Sequence, residues 1–238
     1  MLFGRAAPRP ANAVSRRLRA NQARAREAIF RELDFDELQQ ISSFRVVETK
    51  ALDKASHLGS PLLGAQLSDG SAGQLRAEGQ DVQIVVSDGL SADAVHANVA
   101  HLLPVLVDGL ESRAIRQGQP ILARYGRVKL AERLAECLQC RLIILLIGER
   151  PGGDALAAQS LSAYLVYQLL DPDSQAKAAE FSGHPEIQFE YTVISNIYSG
   201  GLPPLEAGSL LAEKAWQILE QSAAGNRLES IALLKPPG

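Results

Sequence analysis

Residues 145–152 read LLIGERPG: an apolar run ends on Gly148, then carries a carboxylate, Glu149, and a guanidinium, Arg150, into a Pro-Gly turn. A carboxylate at the end of a buried strand can accept hydrogen bonds from amide or hydroxyl groups. It can equally form a solvated ion pair with its neighbour, which does no chemistry. Cys137 and Cys140 form a CxxC. Zinc needs four ligands, and no second Cys or His pair stands at metal spacing. A redox CxxC draws its thiolate from a helix N-terminus, whereas this one ends a helical pattern, where the dipole disfavours negative charge. Both cysteines read as small apolar residues between a helix and a strand.

Asp88, Ser91 and His96 supply the residue types of a hydrolase triad, but no G-x-S-x-G elbow presents a nucleophile. His96 and His101 are five apart and do not share a helix face as ligands at i, i+4 would. The SDGLS turn (87–91) lacks both G-x-G-x-x-G and the GK[ST] of a P-loop, so a dinucleotide reductase or an NTPase is poorly supported. Gly89 would still let a ligand approach the backbone, and the helix start after it offers N–H groups. A plain strand-to-helix turn explains the same residues. The chain reads as half of a site, with no catalytic residue and no metal ligand of its own.

Those residues must be positioned by the elements around them. The 238 residues suffice for one large domain with a small appendage, and 46% apolar with 21% charged is an ordinary soluble composition. The longest apolar run, Leu142–Ile147, is too short to span a bilayer. No apolar leader follows Met1, so the expected location is the cytoplasm. The net charge of −3 conceals eight arginines against one acid in residues 1–31. Such an arm suits nucleic acid, an anionic ligand or an acidic subunit, or is simply a solvated basic helix. Few aromatics interleave it, which counts against single-stranded nucleic acid.

Helical spacing covers Asn12–Glu32, with a second short helix over Phe35–Ile41. Strands are expected at Ser43–Thr49, Val82–Val86, Ile121–Tyr125, Arg141–Ile147, Tyr191–Ile194 and Ser230–Leu234, the last closing the sheet. Helices are expected at Ala92–Arg113 with Ser91 as N-cap, Val128–Leu138, Ser160–Leu169 and Leu205–Gln221. Residues 56–79 show no clear period. The alternation predicts an open, mainly parallel α/β sheet, Rossmann-like, with helices on both faces. Residues 1–41 form an Arg-rich helical arm before an α/β domain over 42–238. Ligands of such sheets gather beyond the carboxyl ends of the strands. The turns 87–91, 125–129 and 148–153 lie there.

Seven stretches, GRAAPRP (4–10), VVSDGLSADAV (85–95), RYGRVKLAERLAE (124–136), LLIGERPG (145–152), QSLSAYLVY (159–167), ISNI (194–197) and GGLPPLEA (200–207), resemble the small-subunit family of ethanolamine ammonia-lyase. The resemblance runs in order over nearly the whole chain. It implies an adenosylcobalamin-dependent lyase that converts ethanolamine to acetaldehyde and ammonia by radical chemistry carried by the cofactor. It also implies a large TIM-barrel subunit that binds substrate, with the small subunit holding cobalamin at the interface between them. The family's cobalamin contacts fall on Val128, Glu149 and Val193, while Arg150 is expected to brace the loop or the large subunit. A stand-alone nucleotide-binding α/β protein and a nucleic-acid binder are the rival readings.

The chain departs from the family where Val193 replaces a frequent cysteine and where residues 171–189 look longer than expected. Some members use an N-terminal extension before GRAAPRP for packing into bacterial microcompartments, and this chain starts close to GRAAPRP, which puts its encapsulation in doubt. D-x-H-x-x-G, which supplies a histidine to cobalt in another class, is absent, in keeping with the family's base-on cobalamin binding.

Overall fold

The computed structural model of the chain describes residues 30–150 and 159–234, together with positions 12, 15, 16, 19 and 20. Most of the expected Asn12–Glu32 helix, with Arg5, Arg9, Arg17, Arg24 and Arg26, lies outside the described residues, as do Pro151 and Gly152. Positions 12, 15, 16, 19, 20 and 30 are helical, and 31–34 are not.

Among the described residues six strands form one sheet: β1 (Arg45–Glu48), β2 (Val82–Ser87), β3 (Ile121–Arg124), β4 (Leu142–Gly148), β5 (Leu161–Gln168) and β6 (Phe189–Ile197). Their order is β1-β3-β2-β4-β5-β6. The first four run parallel, with Val85 paired to Ile121 on one side and Leu145 on the other. Strands β5 and β6 add antiparallel, Tyr164 lying between Leu145 and Val193. The fold is therefore the expected open, mostly parallel α/β sheet. Every residue of β2 and β4 is buried, which is why both read as continuous apolar runs without alternation.

Among the described residues after position 30, the helices are α1 (Phe35–Ile41), α2 (Lys54–Gly59), α3 (Pro61–Gly64), α4 (Asp69–Gln74), α5 (Ala92–Glu111), α6 (Leu130–Leu138), α7 (Pro172–Ser182), α8 (Pro204–Gln221) and α9 (Gly225–Leu234). Helices α5 and α8 cover one sheet face, burying Leu102, Leu106, Leu211 and Ala215 against Ile84, Ile144 and Leu165. On the other face α6 lays Leu130, Leu134 and Leu138 over Val85, Ile143 and Leu145. Residues 56–79 hold short helices rather than one periodic element. Asp53 closes a capping box on α2 and Ser68 caps α4. The long 171–189 segment holds α7, capped by Asp171, with Ala178 in the core.

Two expected elements are overturned. Residues 160–169 are not a helix but β5, because the sheet buries Leu161, Ala163 and Leu165 on one face and Val166 on the other. The period of two holds only over Leu161–Leu165 and breaks at Val166, which is apolar on the other face, so the strand pattern is incomplete in the sequence. Residues 230–234 do not close the sheet; they end α9, whose first turn is fixed to β6 by the Thr192 hydroxyl, which accepts from the Gly225 N–H at 2.8 Å. Among the described residues, no helix is long and apolar enough to cross a membrane.

Candidate functional site

The β2 turn is closed by the protein itself. Gly89 has φ +50°, and a Cβ there would stand 2.4 Å from the Ile147 side chain and 2.5 Å from the Gly148 carbonyl oxygen. That carbonyl accepts from the Leu90 N–H at 2.9 Å. What Gly89 admits is strand β4, not a ligand. Ser91 caps α5 by accepting from the Ala94 N–H at 3.2 Å. His96 Nε2 accepts from the Asp34 N–H at 3.1 Å, well away from any partnership with Ser91 and Asp88. The structure does not assemble these three as a triad.

Asp88 is fully buried and accepts from Lys54 Nζ at 2.8 Å and from the Tyr125 N–H at 2.7 Å. Beside it, His57 has no solvent exposure and sits 2.6 Å, by Nε2, from the Gly89 carbonyl oxygen. A carbonyl only accepts, so Nε2 carries the proton. Burial, and then the Arg127 charge, hold the His57 pKa below its ordinary value. No sequence signal marks Lys54 or His57, because α2 is a short helix that runs into the aperiodic stretch 56–79.

The β3 turn bends sharply at Tyr125, φ +58°. Its phenol donates to Glu32 at 2.5 Å, and burial pushes its pKa up, so it stays protonated. Val128 follows, half-buried, and its carbonyl accepts from the Ala131 N–H at 3.1 Å, opening α6. That bond uses the Val128 carbonyl within the chain.

Strand β4 ends on glycine for a steric reason. A Cβ at Gly148 would lie 2.0 Å from the Ser91 carbonyl oxygen. The next residue, Glu149, continues the pairing through its N–H to the Ser160 carbonyl, 3.1 Å. Side chains alternate along a strand, so Glu149 follows Ile143, Leu145 and Ile147 onto the α6 face. Its carboxylate accepts from the Tyr164 hydroxyl at 3.4 Å. Burial and the Glu149 charge both raise the Tyr164 pKa, so this hydroxyl remains a donor. Among the described residues Glu149 makes no ion pair with Arg150, which removes the bland explanation of the adjacent charges.

Tyr164 faces Val193, which is 46% exposed on the edge strand β6. Further along, the Ser162 and Ser195 hydroxyls meet at 3.1 Å beside a register shift in the β5–β6 pairing. Asn196 adopts φ +59° there. Glu149, Ser162, Tyr164, Ser195 and Asn196 line an open polar hollow of about 460 Å³. Lys129 Nζ lies 3.2 Å from the Tyr191 hydroxyl, spanning from the residue after Val128 to β6. Of the three expected contacts Glu149 alone is among the described residues lining the hollow; Val193 pairs with Tyr164 on the neighbouring strand, and Val128 stands on the turn before α6, the helix packed on that sheet face. Ser162 and Tyr164 are absent from the sequence-based site because a helix over 160–169 would not present alternate residues to one face, and Ser195 and Asn196 because they lie just past the expected strand Tyr191–Ile194. The alternation of Ser162 and Tyr164 with Leu161, Ala163 and Leu165 was the available clue.

Among the described residues the hollow is rich in hydrogen-bonding groups and pairs no nucleophile with a base. Cys140 is likewise no reactive centre: burial pushes its thiol up to about 12, and it packs in the core under α6 with Cys137 against it. Arg150 is exposed at the rim. The family model described as ethanolamine ammonia-lyase light chain (EutC) matches residues 1–229 of the 238. The chain belongs to the ethanolamine ammonia-lyase light-chain family.

Proposed function

We propose that this light chain holds adenosylcobalamin against a large, TIM-barrel subunit that binds ethanolamine, and that Val128, Glu149 and Val193 are its contacts with the cofactor. The observation that carries the reading is Glu149: a carboxylate at the carboxyl edge of the sheet, half-buried, without an arginine partner among the described residues, in a hollow of hydroxyl and amide groups. A corrin is ringed by amides that donate and accept, and this donor set fits it. Bound there, the cofactor would supply the radical that starts the lyase reaction. Glu149 would accept from an amide or ribose hydroxyl, the Ser162, Ser195 and Asn196 groups would complete the polar rim, and Val128 and Val193 would give apolar contact. Tyr164, kept as a phenol, would hold the Glu149 carboxylate in place. The cytoplasm is the proposed location, with packing inside a microcompartment an open extension of it.

Glu149→Ala tests this in the complex reconstituted with a large subunit. A hydrogen bond to a charged group is worth about 1.5–3 kcal/mol, so adenosylcobalamin affinity is expected to fall roughly ten- to a hundredfold. Glu149→Gln keeps one acceptor oxygen and should lose less. The melting temperature of the chain and its assembly with the large subunit should stay close to those of the unaltered protein. Unchanged affinity for Glu149→Ala would remove Glu149 from the site.

A further inference from the structure

We propose that Asp88, paired with Lys54, is a positioning residue: its carboxylate sets the shape of the Tyr125–Lys129 turn and thereby the place of Val128. The inference rests on the reading of Val128 as a cofactor contact. Asp88 and Lys54 are 1% and 7% exposed at their side chains and meet at 2.8 Å. A buried ion pair seldom stabilises a fold more than apolar packing of the same volume would. Its presence is better explained by what the second carboxylate oxygen does. Asp88 Oδ1 accepts the Tyr125 N–H at 2.7 Å, and Tyr125 stands at φ +58°, a region that bulky side chains seldom adopt unless their surroundings impose it.

The rest of the turn is held from neighbouring elements. The Ser87 hydroxyl accepts the Gly126 N–H at 2.9 Å, the Gly64 carbonyl accepts the Arg127 N–H at 2.9 Å, and the Thr49 hydroxyl donates to the Arg124 carbonyl at 3.1 Å. Of these braces only Asp88 is charged, and only it takes the N–H of the left-handed residue. Lys54 holds that carboxylate in place, with its ammonium 5.8 Å from the Tyr125 ring centre. The turn ends where Val128 opens α6. A loosened Tyr125 therefore displaces Val128 while leaving the Val128 side chain itself intact.

Two double variants isolate the acceptor from the charge. K54M/D88L removes both charges and the acceptor; K54M/D88N removes both charges and keeps an acceptor oxygen. Amide hydrogen exchange of the free chain and adenosylcobalamin affinity of the reconstituted complex are measured for each. K54M/D88L should raise exchange at Tyr125 and Gly126 at least tenfold, leave the β2 amides of Ile84 and Val86 protected, and weaken cofactor binding several-fold. K54M/D88N should return both readings towards those of the unaltered protein. Leu106→Ala, a core variant on the opposite sheet face, is the stability control and should change neither. If K54M/D88L does not fold, K54M/D88S, too short to reach Tyr125, takes its place in the comparison. Unchanged exchange at Tyr125, or equal loosening in Leu106→Ala, overturns the proposal. Loosened amides with unchanged affinity, while Glu149→Ala still weakens binding, overturn the positioning role and leave the cofactor reading standing. If Glu149→Ala is silent as well, that reading fails and the positioning role fails with it.

Discussion

His57 shows how a residue with no place in the hollow still shapes the protein's response to pH. Its Nε2–H is spent on the Gly89 carbonyl, and Nδ1 is buried without a partner among the described residues. Burial and the Arg127 charge lower its folded pKa, against the weaker opposing pull of Asp88 and the Gly89 bond. The unfolded chain, at an ordinary histidine value of about 6.5, then binds more protons than the folded one once the pH drops below that value. Stability from His57 is complete above the unfolded pKa and is lost as pH falls towards the lowered folded value. Melting temperatures should therefore fall more between about pH 7 and about pH 5 for the unaltered chain than for His57→Gln, whose amide can still donate to Gly89. Parallel slopes for the two proteins would show that another group sets the acid limb.

At the scale of elements, the antiparallel half of the sheet depends on a tie that no local pattern announces. Arg227 on α9 donates to Glu190 on β6 at 2.6 and 2.7 Å, and both residues are buried. Glu190 also accepts the Ala224 N–H at 2.9 Å just before the helix. Arg227→Met would leave a buried carboxylate without its cation, at a cost of about 3–5 kcal/mol, read from urea denaturation. Adding Glu190→Gln should recover part of that loss, since the amide oxygen can still take the Ala224 N–H. This half of the sheet is also where sequence pattern and structure part. Strands β2, β3 and β4 are legible because short apolar runs end in turn residues and alternate with helices. In β5, Leu161, Leu165 and Leu169 fall at helical spacing as well, and burial of Val166 on the far face hides the strand period. The run Ser230–Leu234 is too short for periodicity to decide, and its state is set by what β6 holds out to it, a long-range interaction.

Over the whole molecule, the pairing of β4, β5 and β6 sets Glu149 and Val193 either side of Tyr164, while Val128 stands on the turn that leads into α6 on the same side of the sheet. Their motifs are readable in the sequence, whereas the polar rim between them depends on the β5–β6 pairing. The N-terminal segment poses the remaining question of scale, namely where the arm ends and the folded body begins. Leu33 and Leu38 lie in the larger core, Glu32 accepts the Tyr125 hydroxyl, and Asp34 both caps α1 and donates its N–H to His96. Arg31 reaches Asp93 at 2.7 Å but is 69% exposed, and such a surface pair is worth little. Removing residues 1–31 should therefore leave the α/β body folded with a similar melting temperature. Removing 1–41 should cost roughly 1.5–3 kcal/mol for each of Leu33 and Leu38, and it also strips Phe35 and Ile41 from the same core. The eight arginines of 1–31 are proposed to dock the large subunit, so the shorter truncation should weaken assembly, measured by co-purification or sedimentation at increasing salt. Normal assembly of the truncated chain, with DNA binding by the intact one that falls steeply with salt, would assign the arm to nucleic acid instead.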